Sequence, residues 1–102
     1  MKECCAAYLS DQFGGDAEIM NEIYGEYIAS VQKKLEEADA TLAAGDWIAL
    51  DRVAHTIKGN SLATGDSEMA QTAVELRSSA QLKDSQQATE LIAKLKTLAG
   101  QL

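Results

Sequence analysis

The sequence predicts an all-α protein: an antiparallel up-down four-helix bundle with a short N-terminal cap helix. Three observations lead there. Apolar residues recur every three or four positions through nearly the whole chain, the spacing that gathers them on one face of a helix. The chain has no proline, and its breaks are three Gly-Asp pairs, Gly15-Asp16, Gly45-Asp46 and Gly65-Asp66. Nowhere do β-branched residues alternate over the length of a strand.

Glycine just past a helix end takes the left-handed backbone without steric cost, and aspartate just before a helix caps its free amides. Each pair therefore reads as one helix ending and the next beginning. Residues Glu3 to Gln12 form a short first segment that presents Tyr8, Leu9 and then Phe13 as a lid. Asp16 to about Ala43 carries Ile19, Ile23, Tyr27, Val31, Leu35, Ala38 and Leu42 on one stripe. Asp46 to Thr64 carries Trp47, Leu50, Ala54, Ile57 and Ser61, and Asp66 to Leu82 carries Met69, Ala73, Leu76 and Ala80. A fourth boundary has no glycine: at Lys83-Asp84-Ser85, Asp84 or Ser85 caps the helix that follows. Ser85 to the end carries Ala88, Leu91, Ile92, Leu95, Leu98 and Leu102. Connections this short make sequential helices antiparallel neighbours.

A length of 102 residues suits a single domain, 1–102, with one core. An apolar fraction of 46% with 25% charged residues is ordinary for a globular chain. Nine Lys+Arg against sixteen Asp+Glu leave a formal charge of −7, which repels phosphates and so argues against nucleic-acid or anionic-membrane binding. No apolar run approaches the roughly 18 residues of a membrane span, and no signal segment opens the chain. Cys4 and Cys5 are adjacent, a poor arrangement for a structural disulfide, and there is no second pair for a zinc site. Reduced thiols in the cytoplasm are the simplest expectation. A single histidine excludes the paired Glu-x-x-His motifs of a di-iron bundle. The charge and the absence of a basic helix disfavour a helix-turn-helix DNA binder.

That histidine, His55, lies in the middle of the Asp46–Thr64 helix, about 125° from the centre of its apolar stripe and towards solvent. A lone histidine is ordinarily a surface or boundary residue. Its neighbours on the same face are unusual. Ile48 and Leu62 are large aliphatics whose exposure does nothing for stability, and Gly59, one turn on, stands in a helix interior where glycine costs about 1 kcal/mol against alanine. Close approach by another backbone over the histidine accounts for that glycine. An exposed imidazole among aliphatics and a gap is one offered to a partner protein.

The string Ala54-His55-Thr56-Ile57-Lys58-Gly59-Asn60-Ser61 resembles the signature of histidine-containing phosphotransfer (HPt) domains, His-x-(Ile/Leu)-Lys-Gly followed by small residues. Ala44-Gly45-Asp46-Trp47 before it, Gly65 after it, the Leu-rich last helix and the opening Phe13-Gly14-Gly15-Asp16 also resemble the family pattern. The resemblance spans essentially the whole chain. It implies a phosphorelay intermediate in two-component signalling: His55 accepts a phosphoryl group from a receiver-domain phospho-aspartate, or from a kinase, and passes it to another receiver aspartate. The implied partners are response-regulator receiver domains and a hybrid sensor histidine kinase, with the domain itself a monomer.

The residue types suit that role. An imidazole of ordinary pKa about 6.5 is mostly neutral at cytoplasmic pH and keeps a lone pair for in-line attack on phosphorus. The chain has no phosphate-binding glycine loop of the nucleotide-binding kind and no evident cluster of magnesium-binding carboxylates. The resemblance implies that the receiver supplies the metal, so the domain is a carrier without a cofactor of its own rather than an autonomous catalyst. Lys58, within a helical turn of His55, is the candidate for stabilising charge on the phosphoryl oxygens, against the plainer reading of a solvated lysine. Gly59 is read as the docking gap. Ser61 falls on the core stripe, where packing explains it. Ile48, Asp51, Arg52 and Leu62 are candidates for the receiver-contacting rim, the two charged ones fitting a solvated face equally well.

One position departs from the family pattern. The residue facing the histidine from the next helix is commonly Glu or Gln, which accepts a hydrogen bond from the imidazole; by spacing it is Arg77 here. Guanidinium has only donors. Either Glu75, Ser78 or water takes over the role, Arg77 helps to hold the phosphoryl group, or the orienting contact is missing. The competing reading is a helical-bundle adaptor that binds a receiver or kinase domain and transfers nothing.

Overall fold

The computed structural model describes residues 1–102 as five α-helices with no strand: α1 (Glu3–Phe13), α2 (Ala17–Ala43), α3 (Trp47–Thr64), α4 (Ser67–Gln81) and α5 (Ser85–Ala99). Helix α3 packs on α2 and α4, and α5 packs on α4 and α2, so these four close a ring; α1 lies against α2 and, less extensively, α3. One core cluster joins them, with Leu50, Ala54 and Ile57 of α3 meeting Met69, Ala73 and Leu76 of α4 and Leu91, Ile92 and Leu95 of α5.

The breaks behave as their chemistry dictates. Asp16, Asp46, Asp66 and Asp84 each accept a hydrogen bond from a backbone amide of the helix they precede, at 3.1–3.3 Å. At the boundary without a glycine, Lys83 takes the left-handed conformation itself, with φ 54°. Gly65 is required twice over. Its φ is +80°, and a Cβ there would run into the Tyr8 side chain of α1.

Two expected core positions lie outside. Phe13 is 43% exposed and Ile19 41%, and Tyr8 lies across Gly65 yet remains partly open; the inward face of α1 is Cys5 and Leu9. The cause is length. Helix α2 has 27 residues, about 40 Å, against about 23 Å for the 15 residues of α4 or α5. Its first turns reach beyond the shorter helices with only α1 alongside, and Phe13 and Ile19 flank the Gly14-Gly15 turn at that tip.

At the same end sits a fully buried carboxylate. Asp66 accepts hydrogen bonds from Lys2 Nζ at 2.8 Å and from the Tyr27 hydroxyl at 2.8 Å, while also capping α4. The Tyr27 oxygen lies 3.0 Å from Ser61 Oγ, which itself donates to the Ile57 carbonyl at 2.7 Å. No buried side-chain polar atom lacks a partner. Burial pushes the Tyr27 phenol well above its ordinary 10.0, and burial pushes the Cys5 thiol up from 9.0 to about 12. For Lys2, burial works to lower the value, but the hydrogen bond and charge of Asp66 outweigh it and the value rises.

These groups hold their protons more tightly in the folded chain than in the unfolded one. Their contribution to stability is complete below the ordinary values and is lost as pH climbs towards the folded ones. Urea midpoints will therefore stay level up to about pH 9 and fall above it. Tyr27→Phe will cost about 1–3 kcal/mol at neutral pH, and its stability will decline less steeply in alkali than that of the wild type.

Candidate functional site

Helix α3 divides into two faces. Leu50, Ala54, Ile57 and Ser61 are fully buried, while Ile48 (71% exposed), His55 and Leu62 (54% exposed) run along the outer side at intervals of seven residues, two helical turns. The aliphatics flanking the imidazole are among the most exposed large apolar groups of the chain. Gly59 lies on the same outer side, and a Cβ added there would meet nothing within 4 Å. No part of the chain needs the space that this glycine leaves.

The next two residues of the motif face inwards. Asn60 donates to Ser30 Oγ of α2 at 2.7 Å, and Ser61 is buried beside Tyr27. Both hold α3 against α2, which sets how far the imidazole stands out.

His55 makes one hydrogen bond within the chain: Arg77 Nη1, from α4, lies 3.1 Å from Nδ1. The same guanidinium donates through Nε to Asp51 Oδ1 at 2.9 Å, and Gln81 Nε2 reaches that oxygen at 3.5 Å. Asp51, Arg52, His55, Thr56 and Arg77 line a polar groove, and beside it Trp47, Ile48, Ala80, Gln81 and Lys83 line a smaller one that shares Asp51. Of the residues able to replace Arg77 at the imidazole, Ser78 donates instead to the Val74 carbonyl at 3.4 Å, and Glu75 is exposed without a contact to His55.

The remaining candidates are less engaged. Arg52 is exposed, and the side chain of Thr56 donates to its carbonyl at 3.2 Å. Lys58 is half-buried and takes part in none of the four ion pairs, so its ammonium is not committed elsewhere. Asp51 is the surprise of the set: rather than a free rim carboxylate, it is half-buried and paired with Arg77. Spacing about the Gly65-Asp66 turn contains that signal. In an antiparallel hairpin, residues equally far from the turn face each other, which sets 55 against 77 and 51 against 81. An arginine side chain spans the one turn between 55 and 51. No group of three or more His, Cys, Asp or Glu side chains is arranged to hold a metal ion, and no helix is long and apolar enough to cross a membrane.

Because nothing within the chain approaches Gly59, Gly59→Ala will leave the fold intact and raise its stability by up to about 1 kcal/mol, read as a higher urea midpoint.

Among known proteins, no curated sequence and no solved structure matches the chain. A family model does: that of the Hpt domain, over residues 22–102, which takes in most of α2 and all of α3, α4 and α5. With an exposed histidine at the centre of the matched region, the chain belongs to the Hpt domain family, the domains of histidine phosphotransfer in two-component phosphorelays, which interact with receiver domains.

Proposed function

We propose that His55 is the phospho-acceptor of this domain, loaded by the phospho-aspartate of one receiver, or by a hybrid sensor histidine kinase, and discharged to the aspartate of another receiver. The observation that carries this reading is the exposed imidazole between Ile48 and Leu62, with open space over Gly59. The aliphatics supply apolar docking area on either side of the reacting atom. The missing side chain at 59 lets a partner's backbone approach closely. In the transfer, an imidazole lone pair forms the N–P bond while the acyl phosphate P–O bond breaks, and the electron pair leaves on the aspartate carboxylate.

Lys58 would offset charge on the phosphoryl oxygens as the partner docks. Asp51 and Arg52 would form the polar part of the rim. The receiver would bring the magnesium ion, and this chain would need no cofactor of its own. The four ringed helices act as an antiparallel up-down bundle that keeps the acceptor face rigid, with α1 as a short cap at the far end from Ile48. The working species would be a monomer in the cytoplasm, the domain comprising residues 1–102.

A second reading has one observation in its favour. Arg77 donates to the imidazole where an acceptor would orient it for attack, which suits an adaptor that binds a receiver or kinase domain and transfers nothing.

Incubation with a set of phosphorylated receiver domains and magnesium separates the two. Carrier function gives label on the chain that is acid-labile and base-stable and is abolished in His55→Gln. An absence of label from every receiver, with binding unchanged in His55→Ala, establishes the adaptor instead.

A further inference from the structure

Arg77 does more than occupy an unexpected position. We propose that it is a positioning residue that holds His55 in the Nε2–H tautomer and thereby brakes phosphoryl transfer in both directions; this rests on His55 being the acceptor.

The premise is the contact between Arg77 Nη1 and His55 Nδ1 at 3.1 Å. A guanidinium has five N–H donors and no acceptor, so Nδ1 must present its lone pair to it. A neutral imidazole carries a single N–H, which the contact therefore places on Nε2. That is the wrong tautomer for attack through Nε2, whose lone pair is free only when the proton sits on Nδ1. In that state Nδ1–H and the Arg77 N–H would meet donor to donor. Attack through Nδ1 fares no better, because its lone pair is turned to α4 and occupied. Either route requires Arg77 to let go.

Asp51 gives it a place to go. Its Oδ1 already holds Arg77 Nε at 2.9 Å, a charge-assisted bond that survives when Nη1 swings away from the ring. The charged groups around the imidazole are then Asp51, Arg52 and Lys58 from α3 and Arg77 from α4. A docking partner that brings a dianionic phosphoryl group offers the freed guanidinium a second anion. The Nε2 lone pair then forms the N–P bond, the P–O bond to the partner's aspartate breaks onto its carboxylate, and the proton remains on Nδ1.

Discharge meets the same obstacle. When the N–P bond breaks, the ring leaves as neutral imidazole only if Nδ1 bears a proton, and as the far poorer imidazolate if it does not. After loading, the Nδ1 proton passes to solvent and Arg77 returns to Nδ1, stabilising the ring without it. That state lasts until a partner draws Arg77 aside and Nδ1 takes a proton back from solvent. The phosphorylated domain is thus a long-lived store, emptied when a partner draws Arg77 aside.

Two measurements test the brake, and the single histidine keeps the first unambiguous. Long-range ¹H–¹⁵N correlation at pH 8, above the ordinary histidine range, reads the ring tautomer. Phosphoramidate, a small phosphoryl donor that needs no partner protein, reads uptake, and the rate of label loss to a receiver domain reads discharge. The expected result is Nε2–H in the wild type and in Arg77→Lys, which still only donates. Arg77→Gln, whose amide oxygen accepts from Nδ1–H, will shift towards Nδ1–H and load and discharge roughly tenfold faster. The same tautomer in wild type and Arg77→Gln overturns the brake, as does a shifted tautomer with unchanged or slower transfer. A structural role for Arg77 would move the Lys and Gln variants together, which also overturns it. Failure of the acceptor reading looks different: no variant takes up phosphoryl groups from phosphoramidate or receivers, whatever its tautomer, and the brake falls with it.

Discussion

A single buried carboxylate organises this molecule. Asp66 is wholly inaccessible, and its oxygens gather Lys2 from ahead of α1, Tyr27 from α2 and the first turn of α4, while its own amide donates to the Ser61 carbonyl of α3 at 2.8 Å. A charge in such a place is tolerable only when its hydrogen-bonding capacity is filled, and losing one partner leaves an uncompensated cost. The carboxylate therefore admits one arrangement of the four segments around it. It makes the α3–α4 turn a fixed pivot, and every pairing between those two helices is counted from there. His55 and Arg77 both lie eleven residues from Asp66, one on each side. The register that the carboxylate sets at one end of the hairpin thus decides what faces the imidazole halfway along it.

The outer face of α3 obeys a different rule from the core. Core positions of α3 are filled to full burial, whereas the outer stripe keeps two aliphatics in water and a glycine where alanine would fit. Each of those choices costs stability and none is compensated within the chain. Gly25, exposed in α2 and also free of contacts, shows that an open glycine alone is no sign of a site. What distinguishes Gly59 is its place one turn from an imidazole flanked by Ile48 and Leu62. The same face holds its charged groups in reserve: Arg77 is shared between Asp51 and His55, and Lys58 is unpaired. Arg77 is the one side chain of the chain within hydrogen-bonding distance of the imidazole, so the state of that ring depends on it directly.

Much of this was legible in the residues. Helix limits at the breaks followed from capping chemistry to within a residue or two, because Asp caps and turn glycines act locally and need no tertiary partner. The last helix, by contrast, stops at Ala99, three residues before the chain end that its apolar spacing reaches. Lys83 shows the limit of such reading, since a lysine enters the left-handed region there only because the Asp84 cap and the packing of α4 and α5 demand the turn. Phe13 and Ile19 were misplaced for a related reason. Periodicity reports which face of a helix is apolar, not whether a neighbour is long enough to cover it.

By itself, then, the sequence determined the helices, the buried stripe of α3, the outward position of His55 and the resemblance to the family that the chain belongs to. All of these depend on contacts within a few residues or on rotation about one helix axis. Only the tertiary structure decided that Arg77 reaches both Nδ1 and Asp51, that Lys2 completes a buried carboxylate, and that the tip of α2 stands uncovered. Those depend on the relative shift of packed helices along their axes, a distance that no periodicity encodes and that the filling of the core and the pivot at Asp66 establish.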